Sequence, residues 1–134
     1  MTTLPAEAYA RDHAAVGLST LHRPTYTVVQ LRGEIDIITT AALRERLLDV
    51  LRHTTNLLIL DLSRVSFCDA SGLAVLIGTQ RRARLLGLTL RLAAPRPHIA
   101  KLLHVTGLAR SLTIHPTLSD ALAHTQDENM AERN

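Results

Sequence analysis

Tryptophan is absent from the chain, and Tyr9, Tyr26 and Phe67 are its only aromatic side chains, 2% of 134 residues. Any core must therefore be packed from Leu, Ile, Val and Ala. A surface that stacks nucleic-acid bases relies on aromatic rings, so direct nucleic-acid binding is not expected. Cysteine occurs once, at Cys68. No intramolecular disulfide can form, which suits a reducing compartment. Lysine also occurs once, at Lys101, so the positive charge is almost wholly arginine. No apolar run approaches the roughly 18 residues that span a bilayer, and Met1–Ala15 lacks the apolar centre of a secretory signal. The expectation is a soluble cytoplasmic protein without membrane insertion.

What is present is 46% hydrophobic residues, enough for one sizeable core in one domain. The formal net charge is +3 and the sequence pI about 9.7. Arg81, Arg82 and Arg84 are the densest basic group. They read as a solvated helix face or as a surface for an acidic protein partner; one short cluster is a thin footprint for nucleic acid.

Hydrophobic periodicity divides the chain into alternating elements. Met1–Ala15 and Thr125–Asn134 read as tails around a domain over 16–124. Val16–Leu21 and Tyr26–Arg32 read as an opening hairpin, with a turn at Gly33–Asp36. Leu43, Leu47, Val50 and Leu51 make one apolar helix face between Thr39 or Thr40 and Arg52. Leu57–Leu60 has the continuous apolar character of a strand covered on both faces. A helix from Ser71 or Gly72 to Leu86, stopped by Gly87, follows. Then come a strand at Leu88–Leu92, a helix at His98–Val105, a strand at Leu112–Ile114 and a helix at Leu118–Ala123. The order predicts a single small α/β domain: a mostly parallel sheet of about five strands with an N-terminal hairpin and about four helices.

The junction Asp69-Ala70-Ser71-Gly72 places one hydroxyl where a buried strand gives way to a helix. Unpaired N–H groups at a helix start favour an anion. Ser71 is therefore either an ordinary N-cap or the site of a phosphate switch, and Asp69 either orients its hydroxyl or caps the helix itself. Nucleophilic catalysis finds little support. None of the seven histidines stands in a recognisable spacing with Ser71, and the glycines of a hydrolase elbow are replaced by Asp69 and Leu73. No His or Cys pair has metal-ligand spacing, and no Gly-rich phosphate loop is present, so neither a metal nor a cofactor is expected.

Glu34, Asp36, Asp61 and Asp69 are each expected at or just beyond a strand end, along one edge of the sheet. Loop capping accounts for them better than an acid–base dyad. On the helix after Ser71, Leu73, Leu76, Thr79, Ala83 and Leu86 can share one side. Ala74, Ile77, Gly78, Arg81, Arg82 and Leu85 share the other. A purely solvated side would not carry Ile77 and Leu85 beside the small Ala74 and Gly78. That side reads either as loose amphipathicity or as a docking face next to Ser71.

With these residues in view, the chain resembles the STAS family, specifically the anti-sigma factor antagonists. The matching stretches are Gly33-Glu34-Ile35-Asp36, Leu60-Asp61-Leu62-Ser63 with Val65, Asp69-Ala70-Ser71-Gly72-Leu73, Val105-Thr106-Gly107-Leu108 and Ala121-Leu122. The resemblance implies a small sheet with helices packed against it and no catalysis. It implies phosphorylation of Ser71 by an anti-sigma factor with serine kinase activity. The unphosphorylated form would bind that factor and release a sigma factor, and a serine phosphatase would reset the switch. Asp36, Asp69, Ala70, Gly72, Ala74, Ile77, Gly78 and Arg81 are the expected partner-binding residues. Ala70 stands where the family often has a second serine, and the basic pI departs from an expected acidic one. Two other readings are a STAS regulatory subunit of a lipid or solute transport complex and a small nucleotide-binding or nucleotide-hydrolysing protein.

Overall fold

The structure is a computed structural model that describes residues 16–123; the two expected tails lie outside the described residues. The elements are β1 (Gly17–His22), β2 (Thr27–Ile35), α1 (Thr40–Arg52), β3 (Leu57–Cys68), α2 (Ala70–Leu85), β4 (Thr89–Ala93) and α3 (Pro97–Val105). A 3-10 turn (Leu108–Arg110) and β5 (Thr113–His115) follow. A helix, α4, covers 118–123. The five strands lie in the order β1-β2-β3-β4-β5. The opening hairpin is antiparallel, and every other pairing is parallel.

Side-chain alternation along β3 explains its apolar run. Leu58, Leu60 and Leu62 face one side, with Val29, Leu31, Leu90 and Leu92 beside them. Over them pack Leu43, Leu47 and Leu51 of α1, Leu73, Leu76 and Ala83 of α2, and Ile99 and Leu103 of α3. Leu57 and Ile59 face the other side, where Val28, Ala93 and Ala121 join them beneath Tyr26, Leu118 and Leu122. Both faces of the central strand are covered, so its residues are apolar at successive positions. The core is aliphatic, as the shortage of aromatic residues required.

Three expectations at the strand ends are corrected. Gly33 does not turn the chain: at φ 107 it sits beside a register shift, and β2 runs on to Ile35. Only glycine takes that conformation without strain, and a bulge re-aims the strand without ending it. Nor does β3 end at Leu60; it continues to Cys68 alongside β2. Its other edge has no strand neighbour beyond Asp61, since β4 stops at Ala93. There Arg96 Nε donates to the Ser63 carbonyl at 3.1 Å and His98 Nε2 to the Ser66 carbonyl at 2.9 Å. These side chains satisfy carbonyls that a longer β4 would have paired. The third correction follows from the second. Asp61 lies mid-strand and buried, its carboxylate accepting from the Ser63 N–H at 2.9 Å and Gln30 Nε2 at 3.3 Å. The 3-10 turn after Gly107 was not anticipated.

Replacing Leu60, which is fully buried, by alanine is expected to lower the unfolding free energy by about 2–5 kcal/mol in urea titration. Replacing Leu85, 80% exposed, should change it by less than about 0.5 kcal/mol.

Candidate functional site

The carboxylate of Asp69 organises the junction between β3 and α2. Asp69 is in extended conformation and is the N-cap of α2. Its Oδ1 accepts the Gly72 N–H at 3.0 Å and the Ser71 hydroxyl at 2.6 Å. Ser71 is thus not the cap but the second residue of the helix, held by the cap. The reason is geometric: the capping oxygen must precede the first turn to reach its free N–H groups, and the helix begins at Ala70. Asp69 also donates its own N–H to the Ile35 carbonyl at 3.1 Å, tying the end of β3 to the end of β2.

The same hydrogen bonds set the acidity of Asp69. Its carboxyl is held below the ordinary 3.8, first by the Ser71 hydroxyl, then by the Gly72 N–H, with smaller help from the Ser71 and Ile37 N–H groups against a burial penalty. A carboxylate so stabilised is a weaker base than an ordinary one, and its hydrogen bond orients the Ser71 hydroxyl. Among the described residues no histidine is hydrogen-bonded to Ser71, and no group of three His, Cys, Asp or Glu could hold a metal ion. The buried Cys68 thiol next door is pushed up to about 11, mainly by burial and then by the Asp69 charge. It is therefore a packing group and not a reactive thiolate at neutral pH.

The neighbouring loop closes in a similar way. Asp36 Oδ1 accepts the N–H groups of Ile38 at 2.9 Å and Thr39 at 3.1 Å, while Thr39 Oγ1 accepts the Asp36 N–H at 2.9 Å. This reciprocal pair starts α1 and turns Ile37 and Ile38 outward, 75% and 59% exposed. Neither isoleucine was expected at the site. The available signal was two adjacent large apolar residues between a strand end and a cap, outside the periodicity of either element. Of the four acids expected along one edge, Asp36 and Asp69 flank the β2 and β3 ends. Glu34 lies within β2 opposite Phe67, and Asp61 is remote in mid-strand.

The α2 surface follows the expected division with three differences. Ala70, Ala74, Gly78, Arg81, Arg82 and Leu85 are exposed, and Leu73, Leu76, Thr79 and Ala83 are buried. Ile77, however, is half-buried against the core, and Leu86, assigned to the inner side, is exposed. Gly72, expected among the partner-binding residues, is buried beneath the exposed side of α2 instead of on it. A Cβ there would stand 2.7 Å from Cys68 Sγ and 2.8 Å from both Ile35 Cγ2 and the Ile35 carbonyl oxygen. Glycine is required because the helix start presses against the backbone end of β2.

Fold and junction together define a small α/β domain with one mostly parallel sheet and a hydroxyl presented at a helix start. Residues 18–121 match the model of the STAS domain, and the chain belongs to the STAS domain family. It is similar to the anti-sigma-F factor antagonist RsfB of Mycobacterium tuberculosis, 35% identical over 98 residues, 71% of this chain and 77% of that protein. The crystal structure of an anti-sigma factor antagonist from Mycobacterium paratuberculosis is 28% identical. It aligns with a TM-score of 0.74 over 84% of this chain and 96% of that one. The murine anion transporter Slc26a9 aligns with a TM-score of 0.80 at 15% identity, over 93% of this chain and 24% of that one. That likeness concerns the fold alone. No helix among the described residues is long and apolar enough to cross a membrane.

Gly72→Ala should cost about 1–3 kcal/mol of stability through overpacking. It should also shift the amide resonances of Ile35, Cys68 and Ser71. Because the folded Asp69 pKa is lowered, its contribution to stability is present above about pH 4 and drains away as the pH falls through the folded value. Between neutral pH and about pH 2, Asp69→Asn should therefore lose less stability than the wild type in parallel urea titrations.

Proposed function

We propose that this chain is an anti-sigma factor antagonist acting in the cytoplasm, without catalytic activity of its own, switched by phosphorylation of Ser71. In the unphosphorylated form it binds an anti-sigma factor with serine kinase activity and frees a sigma factor. Phosphorylation by that kinase ends the interaction, and a serine phosphatase restores it. The observation that carries the reading is the Ser71 hydroxyl, held at 2.6 Å on the Asp69 carboxylate at the start of α2. A hydroxyl so placed offers a kinase an oriented acceptor. The naming of RsfB as an antagonist supports the class.

The switch follows from charge and contact. Phosphorylation removes the proton that Ser71 donates to Asp69 and adds about −1.5 to −2 charges beside that carboxylate. The positive N-terminal end of α2 compensates part of this charge, so the fold persists. The docking edge changes more. The partner's contact surface comprises Ala70, Ala74, Gly78 and Arg81 of α2, the edge of Ile77, and the Asp36 loop with Ile37 and Ile38. Its apolar part is suited to a neutral hydroxyl and must instead accommodate a hydrated dianion. A loss of about 2.8 kcal/mol would weaken the complex a hundredfold.

Incubation with the kinase and ATP, followed by phosphosite mapping, should place the phosphate on Ser71. Ser71→Ala should resist phosphorylation and keep its affinity, while Ser71→Asp should bind roughly a hundredfold more weakly in calorimetry. Phosphate on Ser63 or Ser66 alone, or a Ser71→Asp protein that binds as tightly as the wild type, would refute the proposal.

A further inference from the structure

We infer that the groove between α1 and α2 seats an acidic amphipathic segment of the protein partner, an inference that rests on reading the outer face of α2 as a docking surface. Arg44 and Leu48 of α1 and Val75, Gly78, Thr79 and Arg82 of α2 line this groove, which has a volume of about 200 Å³. Its floor is effectively apolar. Val75 and Thr79 are buried, Leu48 is half-buried, and the Thr79 hydroxyl is spent on the Val75 carbonyl at 2.7 Å. Arg44 and Arg82 stand exposed at the rim, one from each helix, and none of the lining residues is acidic. Glycine weakens a helix interior relative to alanine. Yet a Cβ on Gly78 would meet nothing within 4 Å, so packing within the chain does not call for glycine there. The opening at Gly78 leaves the floor accessible to an aliphatic side chain.

Charge partition along the chain selects the partner's sign. From Ala70 to Ser119 there are seven basic residues and no Asp or Glu. Arg91 is buried, whereas Arg81, Arg82, Arg84, Arg96, Lys101 and Arg110 are exposed. Among the described residues neither Arg44 nor Arg82 has a carboxylate partner. Two guanidiniums flanking an apolar slot match a segment with an aliphatic residue between carboxylates, since guanidinium binds carboxylate in a two-pronged fashion. A phosphate backbone would leave the apolar floor empty, and a bilayer surface would not enter a slot between two helices.

The test uses the full-length chain, isotopically labelled, and a synthetic helical peptide with leucines on one face and glutamates on the other. Saturable amide shifts are expected at Leu48, Val75, Gly78 and Thr79. Arg44→Glu and Arg82→Glu should each weaken binding about tenfold, while Arg110→Glu, away from the groove, should stay within about twofold. The same variants are then titrated with the anti-sigma factor kinase. Weakening by Arg82→Glu with Ser71→Asp unchanged upholds the groove and sinks the Ser71 switch; the reverse pattern sinks the groove. If the kinase binds no form of the chain, the functional reading falls and the groove stands or falls on the peptide shifts. Phosphatidylserine vesicles and a DNA duplex are run in parallel. Binding of either with the same arginine dependence, in place of the peptide, overturns the inference, as does an absence of shifts at the groove.

Discussion

The junction at Ser71 depends on one carboxylate. Asp69 closes the first turn of α2 through the Gly72 N–H, fixes the Ser71 hydroxyl on the same oxygen, and anchors the end of β3 to the Ile35 carbonyl. Each bond would be ordinary alone. Together they couple the helix start, the strand end and the serine rotamer, so that the hydroxyl is presented without a search through conformations. Helix capping thus supplies both stability and site geometry. The absence of a Cβ at Gly72 lets the helix start pack closely on Ile35 and Cys68.

A site built this way is sensitive to charge. The hydrogen bonds that hold Ser71 and the Gly72 N–H on Asp69 stabilise its anion, lower its pKa and weaken it as a base. In the proposed switch, a second negative charge on Ser71 would meet repulsion from Asp69 and attraction from the N-terminal end of α2, two effects that oppose each other locally. A partner docked across Ile37 and Ile38 would feel no such cancellation, since burial of apolar surface contributes about 25 cal/mol per Å² only while water is excluded.

Much of this was legible in the residues, and the rest was hidden for physical reasons. The order of elements followed from the 3.6-residue pattern of Leu43, Leu47 and Leu51 and from the unbroken Leu57–Leu60 run. The strand ends did not. Gly33 has the same appearance in a sequence whether it turns a chain or bulges a strand, and only pairing with β3 decides between them. The extension of β3 past Asp61 rests on its pairing with β2, and its other edge is satisfied by Arg96 and His98, more than 30 residues away; neither leaves a periodic trace. At the site, Ser71, Asp69 and Asp36 were legible from composition at a strand–helix boundary. Their division of labour was not, because cap and capped residue differ by one position in where the helix begins. Ile37 and Ile38 escaped notice because exposure of a large apolar residue is a property of the folded loop.

The charge pattern along α2 suggests why a basic member of this family can work without losing selectivity. Ser71 lies in the first turn, and Arg81 and Arg82 lie about three turns further along the same helix. At physiological ionic strength the Debye length is about 8 Å, shorter than the roughly 15 Å that ten helical residues span. A phosphate at Ser71 is therefore largely screened from these arginines, and they neither neutralise it nor are neutralised by it. The two ends of the helix can act on different steps. In the proposed function, exposed arginines would raise the rate at which an acidic partner arrives, and the state of Ser71 would set how long an apolar contact beside it survives. A lysine-rich surface would steer as well at long range, but a guanidinium also fixes the orientation of a carboxylate once the partner has arrived. The near-exclusive use of arginine is consistent with a surface that must position a partner as well as attract it.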